Sequence, residues 1–228
     1  SDAEDIERIE ARIALDLEAP SCADYKLDYR FVARFHRSDD VTVTDQQTVA
    51  TEARDGTRFE FRTRNLADGS EQSSVEGTAT NDADSTSVAF RVPVARDARL
   101  PRALFPMSHT ADLVRRAQAG GRIVETRIFD GDEAADGSLT TTSVILPASN
   151  ESSPVGEAAG AAMGGMRSWW IDESYYDKTS EGDGSAIFRT RYRLFENGVS
   201  DEITMDFGTY AIGGRLTSLS LRDAPACP

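Results

Sequence analysis

Residues 25–36 read Tyr-Lys-Leu-Asp-Tyr-Arg-Phe-Val-Ala-Arg-Phe-His. Tyr25, Leu27, Tyr29, Phe31, Ala33 and Phe35 fall on alternate positions, with Lys26, Asp28, Arg30, Arg34 and His36 on the others. That is the period of a strand with one wet face, and the run is long for a small flat sheet. Just upstream, Ile9, Ala11, Ile13, Leu15 and Leu17 alternate in the same way with Glu10, Arg12, Asp16 and Glu18. Downstream, further strands are predicted at 41–52, 57–64, 73–80 and 85–92, and the separators include Asp55-Gly56 and Asp68-Gly69, both turn-formers. The first half of the chain therefore reads as an antiparallel meander.

The rhythm breaks near Leu100. Leu100-Pro101 and Phe105-Pro106 lead into a predicted helix over 108–119. Ser108 is placed to cap its free N–H groups, Asp112 to lie in its first turn, and Arg115 and Arg116 to approach its carboxyl end before Gly120-Gly121 stops it. Leu113, Val114 and Ala117 form its apolar stripe. One amphipathic helix in a mostly β chain can cover or fill the concave face of a curved sheet. Strands resume at 122–129 and 139–147, joined by an acidic loop at 130–137. The stretch 148–165, rich in Ser, Ala and Gly, reads as a flexible loop inside a single domain spanning 1–228 rather than as a boundary. Beyond it, 166–178 carries Trp169, Trp170, Tyr175 and Tyr176, and strands at 187–196 and 199–207 flank Asn197-Gly198. That dipeptide is expected to place both turn residues at positive φ. Residues 208–221 supply the final strand or two, and no fixed-period repeat is present.

Composition excludes several classes of function. The 228 residues carry a formal charge of −14, which repels the phosphates of nucleic acid and the surface of an anionic membrane. No apolar run approaches a membrane span. The chain has no initiator Met and no signal-like segment, so a mature protein whose leader has been removed is expected.

Two cysteines, Cys22 and Cys227, are a number and spacing unsuited to a four-ligand zinc site or a Cys-x-x-Cys redox centre. Two readings stay open: a clasp between the ends of the fold, or two unrelated buried thiols. A clasp would close a loop of about two hundred residues, upwards of ~4 kcal/mol on the chain-entropy model, and would belong to an oxidising compartment.

Chemistry is sparse. His36 and His109 are the only histidines, and no Gly-x-Ser-x-Gly elbow accompanies them. His36 belongs to the wet side of its strand, and His109, at a helix start, reads as a packing or capping residue before it reads as a proton carrier. Asp130, Asp132, Glu133 and Asp136 lack the alternating oxygens and central Gly of a calcium loop, so a solvated turn is expected and no metal or cofactor. No phosphate cradle joins a strand to a helix. The aromatics Phe105, Trp169, Trp170, Tyr175 and Tyr176, with Leu113, are the candidate apolar surface for a ligand or partner, against the plain alternative of core packing. On a strand, Trp169 and Trp170 point to opposite faces, so one can be core while the other is exposed or covered.

The segment Leu100-Pro101, Phe105-Pro106-Met107-Ser108-His109, the helix ending Ala119-Gly120, and Phe129-Asp130-Gly131 resembles the middle of the EipB family of periplasmic cell-envelope integrity proteins of Gram-negative bacteria. Glu52-Ala53-Arg54-Asp55-Gly56 with Phe59 and Phe61, and Glu196-Asn197-Gly198-Val199 with Asp206-Phe207-Gly208, match the flanking segments in order, so the similarity covers nearly the whole chain. The resemblance implies a mainly β, single-domain fold. One long antiparallel sheet would roll into a β-spiral or open barrel, similar in outline to the LolA and LolB lipoprotein carriers, with one central helix. It also implies a disulfide between Cys22 and Cys227, a periplasmic location and no enzymatic activity. Two functions of different class follow: support of envelope integrity by binding another periplasmic protein, one built of helical repeats, or carriage or sensing of a lipid or lipoprotein acyl chain within the curved sheet. The strong acidity and the 148–165 loop depart from the family pattern.

Overall fold

The computed structural model describes residues 6–131, 139–148, 160, 162–177, 180, 184–223 and 225–226. The chain divides into two units, one of residues 1–108, 127–138 and 224–228 and the other of residues 109–126 and 139–223. The expected loop at 148–165 falls mostly on 149–159 and 161, and the acidic loop at 130–137 mostly on 132–137, all outside the described residues.

In the first unit, β1 (Ile6–Glu18), β2 (Asp24–Arg37), β3 (Val41–Ala53), β4 (Arg58–Ala67), β5 (Ser70–Asn81), β6 (Ser85–Val92) and β7 (Arg96–Pro101) form a seven-stranded sheet in chain order. Every ladder is antiparallel, as the meander reading expects. The β1–β2 register sets Ile13 opposite Phe31 and Leu15 opposite Tyr29, so the two alternating series share one face. At the β4–β5 turn, Asp68 and Gly69 both take positive φ, 49° and 79°, the conformation whose twist suits a two-residue hairpin. Strand β7 lies between the last predicted strand and the proline-rich segment, where alternation does not mark it.

The core of this unit is a cluster of phenylalanines. Phe59 stacks on Phe61 and Phe105 with centroids 5.4 and 5.3 Å apart, and Phe129 meets Phe61 edge-on at 5.6 Å. Ala50, Val75, Ala79, Val88, Phe90, Leu100 and Ala103 pack around them. Each ring pair adds about 0.5–1.5 kcal/mol beyond its buried area. Gly131 is required here: its φ is +90°, and a Cβ would stand 2.6 Å from the Phe61 ring. A buried polar staple ties the strand ends, with the Asn81 amide donating to the Gly56 and Ala103 carbonyls at 2.9 and 3.0 Å.

Helix α1 (Pro106–Gln118) follows; its residues from His109 onward belong to the second unit. It starts two residues earlier than expected because Pro106 pre-sets φ for a first helical position. Ser108 is therefore inside the first turn rather than the cap, and Asp112 lies in the second turn, paired with Arg115 and with Arg116 at 2.7 Å. The stop is as read from Gly120-Gly121: Gly120 takes φ +80°, its N–H reaches the Ala117 carbonyl at 3.1 Å, and the Gly121 N–H reaches the Arg116 carbonyl at 2.9 Å.

The second unit holds a six-stranded sheet in the order β13-β12-β11-β10-β9-β8. Its strands are β8 (Ile123–Ile128), β9 (Leu139–Pro147), β10 (Ser168–Tyr176), β11 (Phe188–Phe195), β12 (Ser200–Asp206) and β13 (Ala211–Gly214); Arg127 and Ile128 of β8 are counted with the first unit. Leu113, Val114 and Ala117 of α1 pack with Val124, Ile145, Trp169, Ile171 and Leu194 as its core. At Asn197-Gly198 only Gly198 has positive φ, 85°, which corrects the expectation for both residues. The Asn197 side chain instead accepts the Val199 N–H at 3.1 Å, so the hairpin closes by a longer turn.

The fold of the described residues is thus mainly β and antiparallel, with the amphipathic helix α1. The strands are parted into two sheets in place of one continuous ribbon, and neither sheet closes on itself. The parting follows from local chemistry, since Pro101 and Pro106 remove backbone donors and the helix begins where the first ladder ends.

Candidate functional site

The first unit presents its most exposed apolar surface on β1 and β2. Alternation puts Ile9, Ala11, Ile13, Leu15 and Leu17 on the same side as Leu27, Tyr29, Phe31 and Phe35, but β1 is an outermost strand with a neighbour on one side only. Ile13 remains 39% exposed, Leu15 58% and Leu17 42%, while Tyr29, Phe31 and Phe35 are half-buried. The opposite, polar side is held by ion pairs. Arg30 grips Asp45 through two hydrogen bonds of 2.9 and 2.7 Å, and His36 Nε2 lies 3.1 Å from Glu10. The bond from His36, with Arg8 beside it, holds the Glu10 carboxyl below its ordinary range. His36 is therefore a surface pairing residue, as its place on the wet side implied.

The second unit buries a polar centre that sequence reasoning touches at His109, and at Tyr175 only as an aromatic surface residue. Glu173 on β10 is 2% exposed although it shares a face with Trp169 and Ile171. Four side chains converge on it: His109 Nε2 at 2.8 Å and Ser143 Oγ at 2.9 Å on one oxygen, Tyr192 Oη at 2.6 Å and Tyr175 Oη at 3.2 Å on the other. Burial alone would raise the Glu173 carboxyl, but the His109 bond and charge, with the Tyr192 and Ser143 hydroxyls, bring it below its ordinary value. Burial and the Glu173 charge push Tyr192 well up, so that phenol stays protonated and donates. The arrangement is a satisfied carboxylate rather than a nucleophilic site. Ser143 gives its proton to Glu173, not to the imidazole, and His109 Nδ1 has no hydrogen-bond partner among the described residues.

The residues singled out in sequence are dispersed. Phe105 is in the phenylalanine core of the first unit; Leu113 and Trp169 are in the core of the second. Trp170 points to the other side of β10, half-buried, with the Arg191 guanidinium 5.3 Å above its ring. Tyr175 stacks on Phe188 at 4.1 Å, Phe188 on Phe207 at 6.0 Å and Phe207 against Tyr210 at 5.1 Å, a half-exposed ladder of rings; Tyr176 is half-buried on the opposite side. Asp55 accepts the Thr57 hydroxyl and N–H, Gly56 takes φ +70° in the same turn, and Pro106 opens α1. Asp130 is exposed and Gly131 buried. Among the described residues no group of acidic, His or Cys side chains could hold a metal; Asp132, Glu133 and Asp136 lie outside them. The space beside Tyr25, Leu27, Ala50, Glu52, Phe59, Pro106 and Met107 is about 10 Å³, room for a water molecule and not for a ligand.

Cys22 is exposed, with Sγ 3.8 Å from the carbonyl oxygen of Ala226. Cys227 lies outside the described residues. No helix among the described residues is long and apolar enough to cross a membrane.

A model of the EipB-like family matches residues 1–223. The cell envelope integrity protein EipB of Brucella abortus is 29% identical over 222 residues, which cover 96% of this chain and 78% of that protein. A crystal structure of a β-barrel-like protein with a domain of unknown function, also from Brucella abortus, superposes with a TM-score of 0.89 at 28% identity, covering 97% of this chain and 92% of that one.

Proposed function

The chain belongs to the EipB-like family, and from that membership we propose that it is a non-enzymatic periplasmic protein that supports cell-envelope integrity by binding another envelope protein. The name of the Brucella abortus relative supports the envelope role. The observation that carries the binding role is the apolar side of β1–β2, where Ile13, Leu15 and Leu17 stand exposed beside half-buried Tyr29, Phe31 and Phe35. A continuous apolar strip of this kind costs solubility unless something covers it. In the buried polar centre, His109 and Ser143 are both spent on Glu173, which argues against acyl-transfer chemistry there. A disulfide between Cys22 and Cys227 is part of this reading. It is supported by the approach of Ala226 to Cys22 and by the absence of a free cysteine among the described residues.

Envelope extract passed over immobilised wild-type protein and over Leu15→Arg tests the proposal. A protein retained by the first and lost from the second is the expected result; equal retention, or none by either, overturns it. Titration of delipidated protein with a fluorescent fatty-acyl probe is the second arm. Saturable probe binding that Leu15→Arg abolishes, with no protein captured, would replace the partner by an acyl chain on the same strip.

A further inference from the structure

The two sheets end in four outermost strands, and three of them are poor templates for further pairing. Strands β7 and β8 have six residues each, β7 ending on Pro101, and β13 has four, closing on Gly213-Gly214. Strand β1 is different. It runs for 13 residues, Ile-Glu-Arg-Ile-Glu-Ala-Arg-Ile-Ala-Leu-Asp-Leu-Glu, with no Pro, Gly or Lys. Every residue from Glu10 to Glu18 is exposed, and no strand among the described residues pairs with its outer side. Its one register shift lies at the start, between Ile6 and Arg8, so from Ile9 onward the edge presents an unbroken row of backbone donors and acceptors that invites another strand of complementary charge.

The side chains specify which strand. On the polar side of β1, Arg8, Glu10 and Arg12 precede Ala14, with Glu10 bonded to Arg8 and His36, and the acidic Asp16 and Glu18 follow it. From this pattern we infer that β1 pairs with β1 of a second copy of this chain, antiparallel, across a two-fold axis at Ala14. That register places Arg12 opposite Asp16 twice, Ile13 opposite Leu15 twice and Ala11 opposite Leu17 twice, so charges meet opposite charges and exposed apolar residues meet each other. Two like pairs remain, Glu10 with Glu18 at each end, where Arg8 and His36 already bond Glu10. A parallel copy in register would set Arg12 on Arg12 and Asp16 on Asp16. A slip of one residue would put every apolar side chain opposite a polar face.

The inference concerns the outer edge of β1, whereas the proposed partner site is the apolar side of β1–β2. Leu15→Arg would disturb both, because Leu15 faces Ile13 in the paired edges, but Arg12 is on the opposite side from Leu15, so Arg12→Asp breaks the pairing and leaves the strip intact, which lets the two proposals fail separately. The test is cysteine placement in the full chain. Ala14→Cys should cross-link to itself on mild oxidation, because facing residues of an antiparallel pair have Cα atoms about 4.5–5.5 Å apart, within reach of a disulfide. Ala11→Cys and Leu17→Cys should not cross-link alone but should do so when mixed. Sedimentation should show a wild-type dimer weakened about tenfold or more by Arg12→Asp, which turns two attractive pairs into repulsive ones, and restored by the double swap Arg12→Asp with Asp16→Arg. Wild-type protein that sediments as a monomer at the concentration of the cross-linking test overturns the inference. So does an Ala14→Cys variant that links no faster than the Ala11→Cys variant alone.

Discussion

Glu52 and Ser108, 56 residues apart, are joined by two hydrogen bonds to one carboxylate oxygen, from the Ser108 N–H at 2.7 Å and its hydroxyl at 2.5 Å. The other oxygen accepts the Met107 N–H at 2.8 Å. A buried strand residue thus caps a helix whose preceding residue, Phe105, has no polar side chain to offer. Burial pushes the Glu52 carboxyl up, and the three donors only partly offset it.

Glu52→Ala should therefore cost roughly 2–3 kcal/mol, since it strands two N–H groups and a hydroxyl in a partly buried site. Glu52→Gln, which keeps an acceptor, should lose about half as much. Urea unfolding of the three proteins checks this; a loss for Glu52→Ala below about 0.5 kcal/mol, the level of an ordinary surface change, would contradict the capping role.

Glu173 makes stability depend on pH. Its carboxyl titrates below the ordinary glutamate value in the folded protein, so its contribution is fully present above about pH 4.3 and lost as the pH falls through the lower folded value. Glu173→Gln should be less stable than wild type at neutral pH, and the gap should close in more acid solution. Melting curves across that range give the answer, and a gap independent of pH would show that the carboxylate charge plays no part.

Gly131 and Gly120 separate two costs that a glycine can hide. Both have positive φ, but a Cβ at Gly131 meets the Phe61 ring whereas one at Gly120 meets nothing within 4 Å. Gly120→Ala should cost about 1 kcal/mol, from the backbone alone. Gly131→Ala should cost about 3 kcal/mol through added overpacking. Equal losses on denaturant unfolding would mean that Phe61 moves aside freely.

Reduction of the proposed Cys22–Cys227 bond should lower stability by about 4 kcal/mol while the sheets still form, because the bond restricts mainly the unfolded chain. Cys22→Ser should behave like the reduced protein. Mass spectrometry of freshly isolated protein with both thiols free, or equal melting with and without reductant, would remove the bond from the account.

What is legible in the sequence is what neighbouring residues decide among themselves. Alternation from Ile9 to Phe35 sets the strands and their apolar side, Asp68-Gly69 sets a mirror-image turn, and Gly120-Gly121 sets the end of the helix. Each rests on a period or a backbone preference expressed within a few residues. The start of the helix is misread from sequence because Ser108 has the chemistry of a cap, while the group that caps comes from β3. The polar centre escapes for the same reason: Glu173 reads as one charged residue on a strand, and nothing nearby announces that His109, Ser143 and Tyr192 will close around it.

By itself, then, the chain's order of residues determined its secondary structure, its antiparallel meander and its family. Tertiary structure alone decided that Glu52 serves a helix and Glu173 a buried cluster, and that no described strand covers the outer edge of β1. Periodicity is a local property, whereas the partner of a buried carboxylate depends on which distant segments the packing brings within hydrogen-bonding reach.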